Sequence, residues 1–208
     1  MGELFTIGHS HHQIPFFLDV LHKYNVNYLM DVRSVPYSRY AEQFNRENIQ
    51  KDLGSAGINY VFMGKYFGAR QDNPSLYNDE GYLDFETVRT HSPFVMRVDS
   101  VIKGLNQGNN IALMCTEKEP IDCHRAILVA RAFEQRGIQV KHILPSGNIL
   151  TQDALNEQLL DLYFPDRNNI SLFATVPEAT DEEMLSEAYR LRNKAIGYRI
   201  GSEKAKAM

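Results

Sequence analysis

One short stretch of the chain contains two cysteines, a histidine, two arginines and several acids: LMCTEKEPIDCHRAILVARAF, residues 113–133. The chain has no other cysteine. Cys123 comes directly before His124 and Arg125 at the start of a predicted helix, where the helix dipole and nearby positive charge favour a thiolate. The pattern therefore predicts Cys123 as a nucleophile.

The same two cysteines could instead be buried structural residues or metal ligands. Cys115 ends an apolar run and is favoured as a small buried side chain. A metal site would draw on Cys115, Cys123, His124 and His9, but the cysteine spacing is not a common zinc spacing, and adjacent cysteine and histidine side chains seldom reach one ion. The glycine-rich phosphate loops GxGxxG and GxxxxGK[ST] are absent from the sequence. The sequence thus predicts neither a metal nor a cofactor.

Alternating strands and helices must position these residues. Short β-rich runs at 4–8 and 27–32 flank a helical run at 14–24, which predicts a β-α-β opening. The other predicted elements are strands at 58–63, 111–115 and 139–144, and helices at 45–56, 93–106, 124–136 and 153–164. This alternation predicts an α/β fold with a mostly parallel sheet flanked by helices.

Two regions depart from this alternation. Residues 64–84 are polar, rich in tyrosine and without a helical or strand period, which is typical of a functional or disordered loop. A second irregular segment, at 164–181, precedes a last predicted helix. We therefore divide the chain into an α/β domain at 1–163 and a linker with a C-terminal helical appendage at 164–208.

Polar residues collect after the predicted strands, and the ligands of parallel sheets bind beyond the carboxyl ends of their strands. Arginines near helix N-termini suit an anionic group such as phosphate. The predicted anion contacts are Arg33, Arg39, Arg70, His124 and Arg125. The predicted catalytic residues, for proton transfer or nucleophilic attack, are His9, Asp31, Glu117 and Cys123.

Each of these residues could also have a purely structural role. A single arginine is more often a surface charge or an ion-pair partner than a ligand contact. Asp31 and Arg33 would equally suit a structural pair that fixes their loop, and a lone histidine such as His9 is more often a hydrogen-bonded structural residue. The prediction of a site therefore depends on the set as a whole.

Composition limits the class of protein. The chain has 208 residues, 43% of them hydrophobic and 23% charged, which suits one α/β domain with a tail. No apolar run approaches the roughly 18 residues of a membrane span, and MGELFTIGHS lacks the features of a secretory signal, so we expect a cytoplasmic protein with reduced thiols. The net charge of -4 gives no overall sign of nucleic-acid binding, although a local basic site stays open.

Several short motifs together resemble one family. They are TIGHS (6–10), DVRSVPYSR (31–39), Phe44, GINY (57–60), and the pair MCTE (114–117) and CHR (123–125). In this combination, over about residues 4–145, the sequence resembles the family of domain of unknown function 488. The resemblance implies a single α/β domain with a shared site and no agreed reaction. Where the family usually has Leu-Gly-Gly before basic residues, this chain has Phe67-Gly68-Ala69, and Arg70 is kept.

We predict an enzyme that binds a phosphate-bearing nucleotide or nucleic-acid substrate at the strand ends, because acids, a histidine and a thiol accompany the arginines. Two alternatives stay open. An Asp-Val-Arg turn and a later cysteine are similar to rhodanese-like sulfur transferases, although the segment 116–119, Thr-Glu-Lys-Glu, replaces the basic loop that would stabilise a persulfide. A non-enzymatic nucleic-acid-binding adaptor would show salt-dependent binding and no turnover.

The stretch from Asn169 to Phe173, NISLF, is similar to the pentapeptide by which bacterial replication and repair proteins bind the sliding clamp. An extended segment between two helices can place Leu172 and Phe173 in an apolar pocket. The predicted partner is then a sliding clamp, with a link to DNA repair. The alternative, which we favour, is that Ile170, Leu172 and Phe173 pack the last helix onto the domain.

Overall fold

A six-stranded sheet runs through the centre of the protein in the computed structural model, which describes residues 1–167 and 179–200. The strands are β1 (Leu4–Gly8), β2 (Tyr28–Asp31), β3 (Asn59–Phe62), β4 (Ile111–Cys115), β5 (Val140–Ile143) and β6 (Ile149–Thr151). Their order across the sheet is β3-β2-β4-β1-β5-β6, and all neighbours are parallel except β5 and β6. The carboxyl ends of β1 to β5 therefore share one edge.

Helices cover both faces of this sheet. They are α1 (Ile14–Lys23), α2 (Arg46–Ser55), α3 (Gly64–Phe67), α4 (Phe85–Thr90), α5 (Ser92–Asn106), α6 (Arg131–Glu134), α7 (Gln152–Tyr163) and α8 (Asp181–Ile196). Phe17 of α1 and Leu53 of α2 pack on one face, and α4 to α8 pack on the other, with Leu155 of α7 among them. Because successive side chains of a strand point to opposite faces, Leu4 joins the second core and Phe5 the first. In the described ranges, no helix is both long enough and apolar enough to cross a bilayer.

The predicted α/β fold, the mostly parallel sheet and the last helix are confirmed, and three local features differ from the sequence pattern. No strand is predicted at β6, because three residues are too few for a periodic signal. The helix predicted over 124–136 begins as a π-helical segment, Arg125–Ala130, before α6. The irregular stretch 64–84 contains α3 and a bridge between Tyr77 and Leu83, so local pairing replaces periodicity there.

The last helix, α8, is held on the sheet domain by buried polar contacts. The hydroxyl of Tyr189 accepts a hydrogen bond from Gln152 Nε2 at 2.7 Å and donates one to Asn156 Oδ1 at 2.7 Å. Asn193, also buried, accepts a hydrogen bond from the backbone N–H of Phe85. Buried polar groups are tolerated where they have such partners. The contacts fix the direction in which the chain leaves α8, toward the carboxyl edge of the sheet.

Candidate functional site

A cleft of about 430 Å³ opens at the carboxyl edge of the sheet, where the chain leaves β2 and β4. Its lining comes from these two turns, from the segment after α3 and from the end of α8. The lining residues are Arg33, Ser34, Val35, Ala69, Arg70, Cys115, Thr116, Glu117, His124, Ile196 and Tyr198. A smaller depression of about 260 Å³ lies at the start of β5, at the opposite edge, away from the predicted site residues.

One polar group at this edge, which we call the Asp31 cluster, comprises His9, Asp31, Arg33 and Tyr60. Arg33 donates to both carboxylate oxygens of Asp31, from Nε to Oδ1 at 2.9 Å and from Nη2 to Oδ2 at 2.6 Å. Tyr60 donates its hydroxyl to Asp31 Oδ2 at 2.8 Å. Asp31 is fully buried and Arg33 is 4% exposed. From the sequence, Asp31 could be either a structural ion-pair partner of Arg33 or a catalytic carboxylate. In the structure, Asp31 and Arg33 form the ion pair.

His9 completes the Asp31 cluster in its neutral form. Arg33 Nη1 lies 3.1 Å from His9 Nε2, and because a guanidinium only donates, Nε2 must accept. The proton is then on Nδ1, which donates to the carbonyl of Ser10 at 3.0 Å. Burial, with the charge of Arg33, lowers the pKa of His9 to about 4. The ring stacks on Phe44 with centroids 4.3 Å apart, so His9 is a packed and oriented residue.

A second group, which we call the thiol cluster, comprises Cys115, Glu117, Cys123 and His124. One donor atom from each residue lies within 4.8 Å of the others. Glu117 Oε2 accepts hydrogen bonds from the thiols of Cys115, at 2.8 Å, and Cys123, at 2.9 Å. His124 Nδ1 lies 3.8 Å from Cys115 Sγ and 3.9 Å from Cys123 Sγ. The two cysteines are therefore polar contact residues, although each is at most 2% exposed.

The pKa values of the two thiols in the thiol cluster are shifted in opposite directions. Burial and the neighbouring Cys123 sulfur raise the pKa of Cys115 well above its ordinary value. Burial would also raise the pKa of Cys123, but the hydrogen bond from Cys115 and the positive charges of Arg125 and His124 lower it. Burial and the Cys123 charge raise the pKa of Glu117. Burial lowers the pKa of His124, but the charge and hydrogen bond of Cys123, the Glu117 charge and the Val32 carbonyl together outweigh burial and raise it. Of the two thiols, Cys123 is therefore the one that loses its proton more readily.

Two features hold Glu117 over the end of β1. Arg125 is fully buried, and its guanidinium donates to the backbone carbonyls of Glu117, at 2.6 Å, and Lys118, at 3.1 Å. Gly8 ends β1 at a point where a side chain would not fit, because a Cβ there would lie 2.0 Å from the Glu117 carbonyl oxygen. Arg125 is therefore a positioning residue for this loop and is not part of the cleft lining.

The other predicted arginines differ in their surroundings. Arg70 lines the cleft, with its guanidinium 4.7 Å from the ring centre of Tyr198 and its backbone N–H donating to Ser34 Oγ at 2.9 Å. Arg39 is exposed and is not among the lining residues. Sequence reasoning gives no role to Tyr60 or Tyr198. A tyrosine within the GINY motif is a usable signal for Tyr60, while Tyr198 reaches the cleft only through the docking of α8.

The two clusters have different chemical capacities. In the Asp31 cluster, the charged groups of Asp31 and Arg33 bind each other and stabilise the turn after β2. The thiol cluster presents two sulfurs, a carboxylate and an imidazole, and three of its four residues line the cleft. Thiolate, imidazole and carboxylate groups transfer protons, attack electrophiles or bind transition metals. The thiol cluster is therefore the candidate reactive centre.

The sequence model of one family, described as domain of unknown function DUF488, matches residues 13–132, more than half of the chain. The matched segment contains the whole thiol cluster and the pair of Asp31 and Arg33, while TIGHS at 6–10 lies before it. No curated protein matches the chain. The motifs and the sequence model thus agree, and the chain belongs to the family of domain of unknown function DUF488.

Proposed function

We propose that this protein is an enzyme that binds a phosphate-bearing substrate, a nucleotide or a nucleic acid, in the cleft and transforms it there. One observation carries the proposal: the cleft lining combines a cationic side chain, Arg70, with Cys115, Glu117 and His124 of the thiol cluster. Binding of phosphate alone needs only the cation, whereas a reaction also needs groups that transfer protons or attack the substrate.

The proposal gives the anion contact chiefly to Arg70, because its side chain lines the cleft. Arg33 forms the buried pair with Asp31, and Arg125 lies behind the cleft. Tyr198 also lines the cleft, with its ring centre 4.7 Å from the Arg70 guanidinium, and supplies an aromatic side chain that a base can contact. Arg39 would then contact only a longer nucleic acid, since it is exposed outside the cleft.

Equilibrium binding of nucleoside monophosphates, nucleoside triphosphates and short single-stranded oligonucleotides tests the proposal. We expect the Arg70→Ala variant to weaken binding about tenfold, as expected for the loss of a charge-assisted contact of about 1.5 kcal/mol. Binding should also weaken as salt increases. The matched control is Arg136→Ala, because Arg136 is an exposed arginine paired with Asp99 outside the cleft, and this variant should bind like the wild type.

Turnover of whichever ligand binds is then followed by chromatography of the products. We expect product with the wild-type protein and little or none with Glu117→Gln. If the wild type and Arg70→Ala bind every ligand equally well, the proposal of a phosphate-bearing substrate is wrong. Tight, salt-dependent binding without any product would support the nucleic-acid-binding adaptor instead.

The sulfur-transfer alternative receives no support from the geometry of Cys115. A persulfide on Cys115 would carry its charge beside the Glu117 carboxylate, whose Oε2 lies 2.8 Å from the sulfur. Like charges at this separation disfavour that anion. The clamp-binding stretch at 169–173 lies outside the described residues, so the sliding clamp and the link to DNA repair stay predictions.

A further inference from the structure

We propose that Cys115, Cys123, His124 and Glu117 form a binding site for a divalent metal ion of the zinc type. The proposal depends on where the donor atoms lie. Two sulfurs, one imidazole nitrogen and one carboxylate oxygen converge within 4.8 Å. It does not depend on the substrate of the cleft.

Each sulfur–nitrogen pair already has nearly the separation of a tetrahedral site, and the two sulfurs lie within 4.8 Å of each other. A zinc ion with Zn–S bonds of about 2.3 Å and a Zn–N bond of about 2.0 Å holds a sulfur and a nitrogen about 3.6 Å apart. His124 Nδ1 lies 3.8 Å from Cys115 Sγ and 3.9 Å from Cys123 Sγ. An ion between these three atoms therefore requires only small movements of their side chains.

The hydrogen bond on the far side of His124 selects the form of the ring that binds a metal. His124 Nε2 lies 3.1 Å from the backbone carbonyl of Val32. A carbonyl oxygen only accepts, so Nε2 carries a proton and donates it. In the neutral ring, the lone pair is then on Nδ1, the nitrogen that lies nearest the two sulfurs. Metal-binding histidines are commonly oriented by such a bond on the other nitrogen.

Glu117 completes the donor set from the side of the cleft. Its Oε2 lies 2.8 Å and 2.9 Å from the two sulfurs, whereas a sulfur and an oxygen on one zinc ion are about 3.5 Å apart. The carboxylate must therefore withdraw by several tenths of an ångström when the ion enters. Glu117 is exposed over part of its surface and lines the cleft, although its carboxylate end is desolvated by buried neighbours, so the side chain can withdraw toward the cleft. An ion held in this way would face the cleft.

The surroundings of Cys123 suit a thiolate bound to a metal. The backbone N–H of Arg125 donates to Cys123 Sγ at 3.4 Å. Two thiolates and a carboxylate carry three negative charges, and the buried guanidinium of Arg125, together with a divalent cation, would balance them. The spacing of the cysteines and the adjacency of Cys123 and His124 disfavour a shared ion in the sequence. In the structure, the turn at Pro120–Asp122 and the start of the π-helical segment bring the donors together.

The donor set favours zinc over harder cations. Thiolate and imidazole ligands suit zinc and its spectroscopic substitute cobalt, whereas magnesium and calcium prefer oxygen ligands. The four-donor set is also small enough for a tetrahedral ion. The expected resident ion is therefore Zn²⁺, and Co²⁺ is the probe with which the site can be observed.

Titration of Co²⁺ into reduced, chelator-treated protein tests the proposal. We expect one ion per chain, visible bands of tetrahedral Co²⁺, and a near-ultraviolet charge-transfer band from thiolate to cobalt. Added Zn²⁺ should abolish all of these bands by displacement. Cys115→Ser and Cys123→Ser should each weaken binding about 100-fold or more, since each removes one of the ligands that together hold the ion.

Two matched variants serve as controls. Glu119→Gln changes a carboxylate on the same loop that pairs with Lys118, and His11→Gln changes an exposed histidine near the same edge. Both should bind Co²⁺ like the wild type. If the serine variants fail to fold, protection of the wild-type thiols from iodoacetamide by Zn²⁺ provides an independent readout, with both cysteines expected to be protected together.

Three results would overturn the proposal. One is the absence of thiolate-to-cobalt charge transfer. Another is equal alkylation of both cysteines with and without Zn²⁺. A third is unchanged Co²⁺ binding after oxidation of Cys115 and Cys123 to a disulfide, because a disulfide cannot supply two thiolate ligands.

Discussion

The Asp31 cluster and the thiol cluster lie at the same edge of the sheet but differ in how their charges are matched. In the Asp31 cluster, a buried carboxylate meets a buried guanidinium, and Tyr60 and His9 satisfy further hydrogen bonds. In the thiol cluster, three acidic groups meet one imidazole, and a single oxygen of Glu117 accepts from both thiols. The matched charges of the Asp31 cluster suit a role in stability, and the proposals above assign function to the thiol cluster.

Asp31→Asn should have the largest effect on stability, because it leaves the buried Arg33 charge without its anion. Removing one partner of a buried ion pair costs about 3–5 kcal/mol, and we expect a loss of this size in the free energy of unfolding. Denaturation in urea measures it. Asp99→Asn, in an exposed pair with Arg136, is the control and should cost less than about 1 kcal/mol. If Asp31→Asn lowers the free energy of unfolding no more than Asp99→Asn does, the Asp31 cluster does not have the structural role assigned to it.

Mild acid should produce the next largest effect, through two buried neutral histidines. Burial and Arg33 lower the pKa of His9 to about 4, and burial and Arg125 lower that of His142 to about 3. Each is neutral in the folded protein at a pH where it is charged in the unfolded chain. The unfolded state then binds more protons, so stability falls as the pH decreases from about 6.5 toward 4.

The expected loss from His9 and His142 between about pH 6.5 and pH 5 is roughly 3 kcal/mol for chelator-treated protein, since each unit of pKa difference corresponds to about 1.4 kcal/mol. His124, whose pKa is raised, offsets part of the loss over the same range. Urea denaturation at the two pH values gives the difference. Equal stability at both would mean that His9 and His142 are not held neutral.

Tyr60→Phe is a smaller change within the Asp31 cluster. It removes one hydrogen bond, from the Tyr60 hydroxyl to Asp31 Oδ2, and leaves the bonds from Arg33 in place. We expect a loss of about 1 kcal/mol, the usual net value for such a bond. Tyr37→Phe, which removes an exposed hydrogen bond to Glu47, should cost less. Equal losses for the two variants would show that burial does not strengthen this cluster.

Glu117→Gln should have the smallest effect on stability and the opposite sign. Burial and the Cys123 charge raise the pKa of the Glu117 carboxyl, so its charged form is disfavoured in the folded protein. An uncharged amide of the same shape should stabilise metal-free protein at pH 7 by less than about 1 kcal/mol. A thermal melt measures the change, with Glu119→Gln as the control. If Glu117→Gln instead lost as much stability as Asp31→Asn, the thiol cluster would also have a structural role.

The sequence predicts the fold better than it predicts the partners of individual side chains. The carboxyl ends of parallel strands share an edge, so the convergence of Asp31, Cys115 and Glu117 follows once the strands are predicted. The direction of a long side chain is not fixed in this way. Arg125 turns inward to the Glu117 carbonyl because Gly8 allows that loop to approach β1, which depends on contacts between distant residues.

The short and irregular elements also could not be predicted from sequence patterns. β6 has three residues and pairs with β5 in an antiparallel manner, which leaves no periodic signal. The π-helical segment Arg125–Ala130 has the same apolar spacing as an α-helix over so few residues. This segment begins directly after Cys123 and His124. Their adjacency in the sequence disfavours binding of both side chains to one ion. The sequence offers Cys115, Cys123 and His124 as possible metal ligands, but only the coordinates bring them together and replace His9 with Glu117 as the fourth donor.

Crystals of the reduced protein grown with Zn²⁺, with diffraction data collected on both sides of the zinc absorption edge, test the central claim most directly. We predict one anomalous peak per chain, within bonding distance of Cys115 Sγ, Cys123 Sγ and His124 Nδ1 and with Glu117 on the side of the cleft. The hydrogen bonds between Arg33 and Asp31 should be unchanged. An anomalous peak elsewhere, or a zinc-free thiol cluster with Glu117 still bonded to both sulfurs, would contradict the proposed metal site.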